Sequence, residues 1–190
     1  MLMFRGIPWG VSMVAMGLLF PMPSLAQACG EAAIRQHLQA MVQTTDWEMA
    51  VGSIAACEAA AMPGLVMALN QGSRDERLEA IAALETLLAL PAATADWVDQ
   101  TPQLTEALIA RLQTDADEQV REQAALSLGT VAALSQEAAR HTAIAQALIT
   151  AGADNQNSLA VHIGVTSGLG QVPTEADIII PALSPLVSDP

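Results

Sequence analysis

An all-α protein made of stacked helical hairpins is what this chain predicts, and three observations carry the prediction. The first is the stretch from Leu104 to Gly129. Leu104, Leu108 and Leu112 recur every four residues with Ile109 beside them, which draws one apolar stripe at helical period. Asp115-Ala116-Asp117-Glu118 interrupts that stripe, and Val120, Ala124, Ala125 and Leu128 open a second one. The second observation is composition: 52% of the residues are apolar, yet only 3% are aromatic. A core of Ala, Leu, Val, Ile and Met suits close helix packing, whereas a sheet would draw on aromatics as well. The third is repetition. One hairpin cannot bury both of its stripes, so it must stack on others of its kind.

Taken in order, the chain opens with residues 1–28, a segment unlike the rest. Arg5 gives a positive start, Val11 to Phe20 is an uncharged apolar run, and Pro21 and Pro23 break it. Ala26-Gln27-Ala28 then places small residues at both cleavage positions, which is the pattern of a secretory signal peptide. The competing reading is a membrane anchor, but the run falls short of the roughly 20 apolar residues a bilayer span takes. Cleavage after Ala28 would leave Cys29 at the new N-terminus, so a lipoprotein with an acylated Cys29 is a further reading. Ala26 stands where such signals normally carry Leu. Export to the periplasm or the medium is the expectation in every case but the anchor. Residues 29–190 are then the folded domain.

The first hairpin is expected from about Glu31 to Val42 and from Asp46 to about Ala60. Its geometry brings Cys29, at the start of one helix, beside Cys57, at the end of the other. A disulfide between two cysteines of an exported chain follows; the alternative is two separate thiols with Cys57 in the core. Two cysteines without further ligands nearby do not make a metal site.

The hairpins recur along the chain. Counting from Val120, Leu78 lies forty-two residues earlier and Leu159 thirty-nine later. Ala82 and Ala83 then match Ala124 and Ala125, and Gly168 falls where Gly129 does. First-helix stripes appear as Ile34, Leu38 and Met41, as Leu65, Val66 and Leu69, and as Ala147, Leu148 and Ala151. Ile178 to Leu183 reads as a first helix without a second, so about four hairpins and a terminal half-repeat are expected. Local chemistry fits. Thr45-x-x-Glu48, Ser73-x-x-Glu76 and Asp115-x-x-Glu118 are capping boxes in sequence. Thr101-Pro102 reads as a cap followed by the first helical position. Gly72, Gly129 and Gly152 are expected at helix ends, where positive φ is useful. Met41, Met49, Met62 and Met67 read as core fillers. One connection is longer than the others: Pro91 to Thr101, with Trp97 between Asp96 and Asp99. Either Trp97 fills a gap between repeats, or the insertion projects and binds something.

Leu108, Leu112, Asp115, Val120, Arg121, Ala124, Ala125, Leu128 and Gly129 together resemble the HEAT-repeat family, in particular the short HEAT-like repeats of phycobilisome lyases. The resemblance runs from about Glu31 to the end. It implies a right-handed α-solenoid whose second helices line the concave face. It also implies that Arg121 joins a ladder of pairs with acids in its own turn or the next repeat.

Charge narrows the partners. The formal net charge is −13, all seven basic residues are Arg, and removal of Arg5 with the signal takes the mature chain to −14. Polyanion binders need clustered positive charge, so nucleic acid and anionic membrane surfaces are poor partners, membrane attachment requiring a lipidated Cys29. His37, His141 and His162 fall in different repeats. Asp115, Asp117 and Glu118 lack the ligand order and central Gly of a calcium loop, and nothing assembles a nucleophile, a base and an oxyanion site. No cofactor is called for. The expected function is a non-catalytic scaffold or interaction module of an exported HEAT-repeat protein, with Glu79, Trp97, Glu122 and Gln123 as partner-binding residues. An accessory subunit of a bilin lyase, or a structural piece of a larger HEAT array, is the alternative.

Overall fold

The computed structural model describes residues 28–43 and 47–173. The expected signal peptide up to Gln27, the Thr45 half of the first expected capping box, and Ile178 to Leu183 lie outside the described residues.

The described chain is all-helical: α1 (Glu31–Gln43), α2 (Trp47–Ala55), a 3₁₀ turn (Glu58–Ala61), α3 (Met62–Gln71), α4 (Arg74–Leu88), α5 (Ala95–Asp99), α6 (Pro102–Thr114), α7 (Glu118–Leu134), α8 (Ala138–Gly152) and α9 (Leu159–Leu169). The expected hairpins are α1/α2, α3/α4, α6/α7 and α8/α9. First helices pack on first helices, α1 against α3, α3 against α6 and α6 against α8. Second helices likewise run α2, α4, α7, α9, each against the next. The core lies between the two rows. Leu104, Leu108, Val120, Ala124, Ala125 and Leu128 are all fully buried there, as their two stripes require.

The ends of the helices depart from the sequence reading in instructive ways. The box at the start of α4 is complete: Ser73 Oγ accepts from Glu76 N, and Glu76 Oε2 accepts from Ser73 N at 2.8 Å. The box placed on Asp115 is not. Asp117 caps α7 instead, accepting from the N–H groups of Gln119 and Val120. Asp115 is turned inward. Ser158 caps α9 by accepting from Val161 N. Pro102 does open α6, but the Thr101 hydroxyl donates back to Trp97 O rather than capping.

These caps reset the repeat register. Ser73, Asp117 and Ser158 are 44 and 41 residues apart, not the 42 and 39 counted from the apolar residues. Aligned on the caps, Glu76, Val120 and Val161 are equivalent, and so are Ala80, Ala124 and Val165, and Leu84, Leu128 and Leu169. All nine are buried. The sequence register had slipped by two residues.

No glycine in the described residues has positive φ. Gly129 does not end a helix; α7 runs on to Leu134. Its role is closeness. A Cβ on Gly129 would stand 2.7 Å from the Cα of Gly168, and one on Gly164 would stand 2.8 Å from the Glu122 carbonyl oxygen. The α7–α9 crossing therefore brings two backbones into contact. Met41 and Met62 are core fillers as expected, but Met49 is 72% exposed, because Ala50, Val51 and Ile54 form the inward face of the short α2.

Candidate functional site

Between successive hairpins the structure repeats one polar device. Arg77 and Arg121 are both the fourth residue after their caps. Each bonds back to its own turn and forward to the next. Arg77 donates to the Gly72 carbonyl at 2.9 Å and to Asp115 Oδ1 at 2.9 Å. Arg121 donates to the Asp115 carbonyl at 2.8 Å and to Asn157 Oδ1 at 3.2 Å. The expectation that Arg121 pairs with an acid is thus corrected: its forward partner is a neutral amide. Arg77, which the slipped register hid behind Glu79, makes the ion pair. Asp115 is fully enclosed, with Arg77 Nε at 2.7 Å, Arg111 at 3.4 Å and its Oδ1 accepting from Asp117 N. A buried carboxylate is tolerable when every oxygen has such partners.

Two further links tie α4 to its neighbours. Glu76 accepts from Gln39 at 3.1 Å and lies 3.4 Å from Arg35 Nε. The backbone N–H of Ser73, then Gln39 and Arg35, hold its carboxyl below the usual glutamate range. Asp117 accepts from Arg74 at 2.6 Å, which lowers its carboxyl. Glu85 differs. It is half-buried between α4 and α7, and burial raises its pKa against the opposing hydrogen bond from the enclosed Ser127 hydroxyl at 3.2 Å.

The long connection is fastened, not loose. Asp99, at the end of α5, accepts from Ser135 Oγ at 2.6 Å and from the backbone N–H of Gln136 at 3.3 Å. The buried Arg140 of α8 reaches Asp99 Oδ1 at 3.5 Å and donates to Thr105 Oγ1 at 2.7 Å and to the Asp99 carbonyl at 3.4 Å. Asp99, Arg140 and Ser135 were not singled out in sequence. Their signal is contact across 36 to 41 positions, which no local pattern carries.

The expected partner-binding residues fall in different settings. Trp97 is half-buried and packed against the core. Glu79 is half-buried, and its Oε2 accepts from the Trp47 indole at 2.8 Å. Glu122 and Gln123 are half-buried on α7, with the Glu122 backbone against Gly164 of α9. Glu79, Glu122 and Gln123 lie on adjacent second helices; Trp97 lies in the inserted connection.

Cys29 and Cys57 form a disulfide, as expected, and both are buried. The histidines serve backbone groups where they are engaged: His141 Nε2 lies 3.0 Å from the Ser135 carbonyl, and His162 Nδ1 lies 2.9 Å from that of Ser158.

On the first-helix row lies a trough of about 400 Å³ along α3. Pro63, Val66 and Met67 line it with Asn70 and Gln71 from α3, Gln100 and Thr101 from the connection, Gln103 from α6, and Glu31 from α1. Comparisons with protein-family models, with curated proteins and with solved structures find no match to this chain.

Proposed function

We propose that this chain is an exported, non-catalytic interaction module. In this reading it is a right-handed α-solenoid of HEAT-like hairpins that grips another protein along its second-helix row. The observation that carries it is the double row of helices, in which each first helix packs on the next first helix and each second helix on the next second helix. The arginine rungs at Arg77 and Arg121 support the resemblance to HEAT arrays, since they recur in register with the caps. The Cys29–Cys57 disulfide supports an oxidising compartment. Its sulfur cannot at the same time carry a thioether-linked lipid, so the disulfide favours a soluble exported form over a lipoprotein. Glu79, Glu122 and Gln123 place two carboxylates and an amide on adjacent second helices of an acidic chain, a surface suited to a basic protein partner.

The test is photo-crosslinking in the exporting cell, with the crosslinker at Gln123 and, separately, at the exposed Glu106 of α6 on the opposite row. A discrete adduct from Gln123 that is absent from Glu106 is the expected result. Only background from both positions overturns the reading.

A further inference from the structure

Counted from the first residue of each helix, the second-helix row repeats one joint. The twelfth residue of a helix meets the tenth of the next: Glu85 of α4 accepts from Ser127 of α7, and Gly129 of α7 lies against Gly168 of α9. Where α7 meets α9, the fifth residue meets the sixth, Glu122 against Gly164, and the carbonyl of the eighth, Ala125, lies against Gly168. First residues also reach forward, Trp47 to Glu79, and Arg74 to Asp117 and Gln119. Each second helix thus has a forward face, at its first, fifth, eighth and twelfth positions, and a backward face, at its sixth and tenth.

At the two ends of the row these faces are open among the described residues. The forward face of α9 is Leu159, Ile163, Thr166 and Gly170. All four are exposed, Leu159 at 76% and Ile163 at 55%. The backward face of α2 is Gly52 and, just past the helix end, Ala56, with Met49 beside them; all three are exposed, Met49 at 72%. Leu159 and Met49, the two most exposed large apolar residues among those described, therefore stand one at each end. A Cβ on Gly164 would strike the Glu122 carbonyl oxygen, whereas one on Gly52, the sixth residue of its own helix, meets nothing within 4 Å.

We infer that a second copy of this chain continues the row, the forward face of α9 in one copy taking the backward face of α2 in the next. Ile163 seats on Gly52 as Glu122 seats on Gly164, and Gly170 meets Ala56 as Gly129 meets Gly168. The joint already formed between α7 and α9 identifies the occupant, because the two ends of the chain supply its two halves in the same register. Charge points to the same contact. Two copies of a chain with net charge −13 repel one another. Helix α9 carries no Asp, Glu or Arg, so this contact forms without setting carboxylate against carboxylate. The contact is heterologous, leaves a free face at each end and therefore propagates. One short helix on each side makes a small interface, so the association is weak and grows with concentration. None of this rests on the partner role proposed above.

Sedimentation velocity of residues 29–190, with the disulfide intact, tests it from micromolar to millimolar concentration. The mean mass of the unsubstituted chain should rise past that of a dimer. Ile163→Glu and Met49→Glu each place a carboxylate in the joint, and each variant alone should associate at least tenfold more weakly. Mixed in equal amounts the two variants should form a dimer and nothing larger, since one keeps the α2 face and the other the α9 face. Both replaced residues are exposed, and unaltered melting curves verify that the variants fold. An unsubstituted chain that stays monomeric throughout overturns the inference and leaves the α9 face to residues 174–190 or to a different protein. Undiminished dimers from Met49→Glu alone overturn it in favour of α9 pairing with α9, and a mixture that stays monomeric overturns it too. None of these results bears on the Gln123 adduct, which tests the partner role separately.

Discussion

The first hairpin and the last helix differ in what they add to apolar packing on the stack. The α1/α2 hairpin is stapled across its own ends by the Cys29–Cys57 disulfide, and beside the packing of α1 on α3 it reaches α4 through side chains, Arg35 and Gln39 to Glu76 and Trp47 to Glu79. Helix α9 carries no Asp, Glu or Arg at all. It lies directly on α7 through Gly164 and Gly168 against Glu122, Ala125 and Gly129. Long side chains can flex to keep a bond, so the links to α4 tolerate shape changes but depend on pH, while the closure of the first hairpin on itself depends on redox state. A backbone-to-backbone contact is indifferent to both and intolerant of a single added carbon.

The largest test of that contrast is removal of the disulfide. It closes a loop of 28 residues, and its loss in Cys29→Ser/Cys57→Ser should cost roughly 3–4 kcal/mol on the chain-entropy model. Urea unfolding of residues 29–190 measures this. Hydrogen exchange should rise in α1 and α2 while α7 and α9 keep their protection; uniform loss of protection would show that the two junctions are not independent.

Between the two junctions sits Asp115, whose carboxylate is wholly enclosed between Arg77 and Arg111. Asp115→Ala should cost about 3 kcal/mol, the lower end for breaking a buried pair, because both guanidinium groups retain some access to water. A loss of less than about 1 kcal/mol in the urea midpoint would place the rung among ordinary surface pairs.

The glycine contact predicts a sign change between two chemically identical substitutions. A Cβ on Gly168 would collide with the Ala125 carbonyl oxygen, whereas one on Gly52 in α2 meets nothing within 4 Å. Gly168→Ala should therefore destabilise by about 2 kcal/mol, as overpacking does. Gly52→Ala should stabilise by up to about 1 kcal/mol through helix propensity. Thermal melts of the two variants decide it, and equal shifts would mean that α7 and α9 part easily.

How much of this was legible beforehand follows from the range of each interaction. Hairpins, caps and apolar stripes are local, and the Ser73–Glu76 box and the stripe through Leu104, Leu108 and Leu112 were read correctly. The disulfide was legible because antiparallel helices of known length bring their ends together. The register was not. Ala recurs so often on these helices that Ala82-Ala83 imitates Ala124-Ala125 at the wrong phase; only the cap residue, where the backbone leaves the helix, fixes the count. Asp115 and Asp117 could not be told apart as caps from spacing alone, since the choice is made by Arg77 thirty-eight residues away. The Asp99–Arg140 clasp and the amide trough arise from contacts between hairpins, and no window of sequence contains them.

The smallest predicted effect concerns Glu85, which sits at the α4–α7 junction between the two extremes. Burial raises its pKa in the folded state, so the native chain holds this proton at pH values where the unfolded chain has released it. Stability from this group is accordingly present below the ordinary glutamate range and is lost as pH rises through the raised folded value. Glu76 has the opposite sign: its folded pKa is depressed, so its contribution is present above the ordinary range and lost as pH falls through the depressed value. Glu85→Gln keeps an acceptor for the Ser127 hydroxyl and removes the buried charge. It should stabilise the chain at neutral pH by a few tenths of a kcal/mol, roughly the size expected for a half-exposed group. Below the glutamate range the advantage should vanish. Urea titrations of both proteins across the acidic to neutral range would show a gap that opens with rising pH; a gap that is constant would mean the substitution acts through packing at the α4–α7 contact and not through the charge.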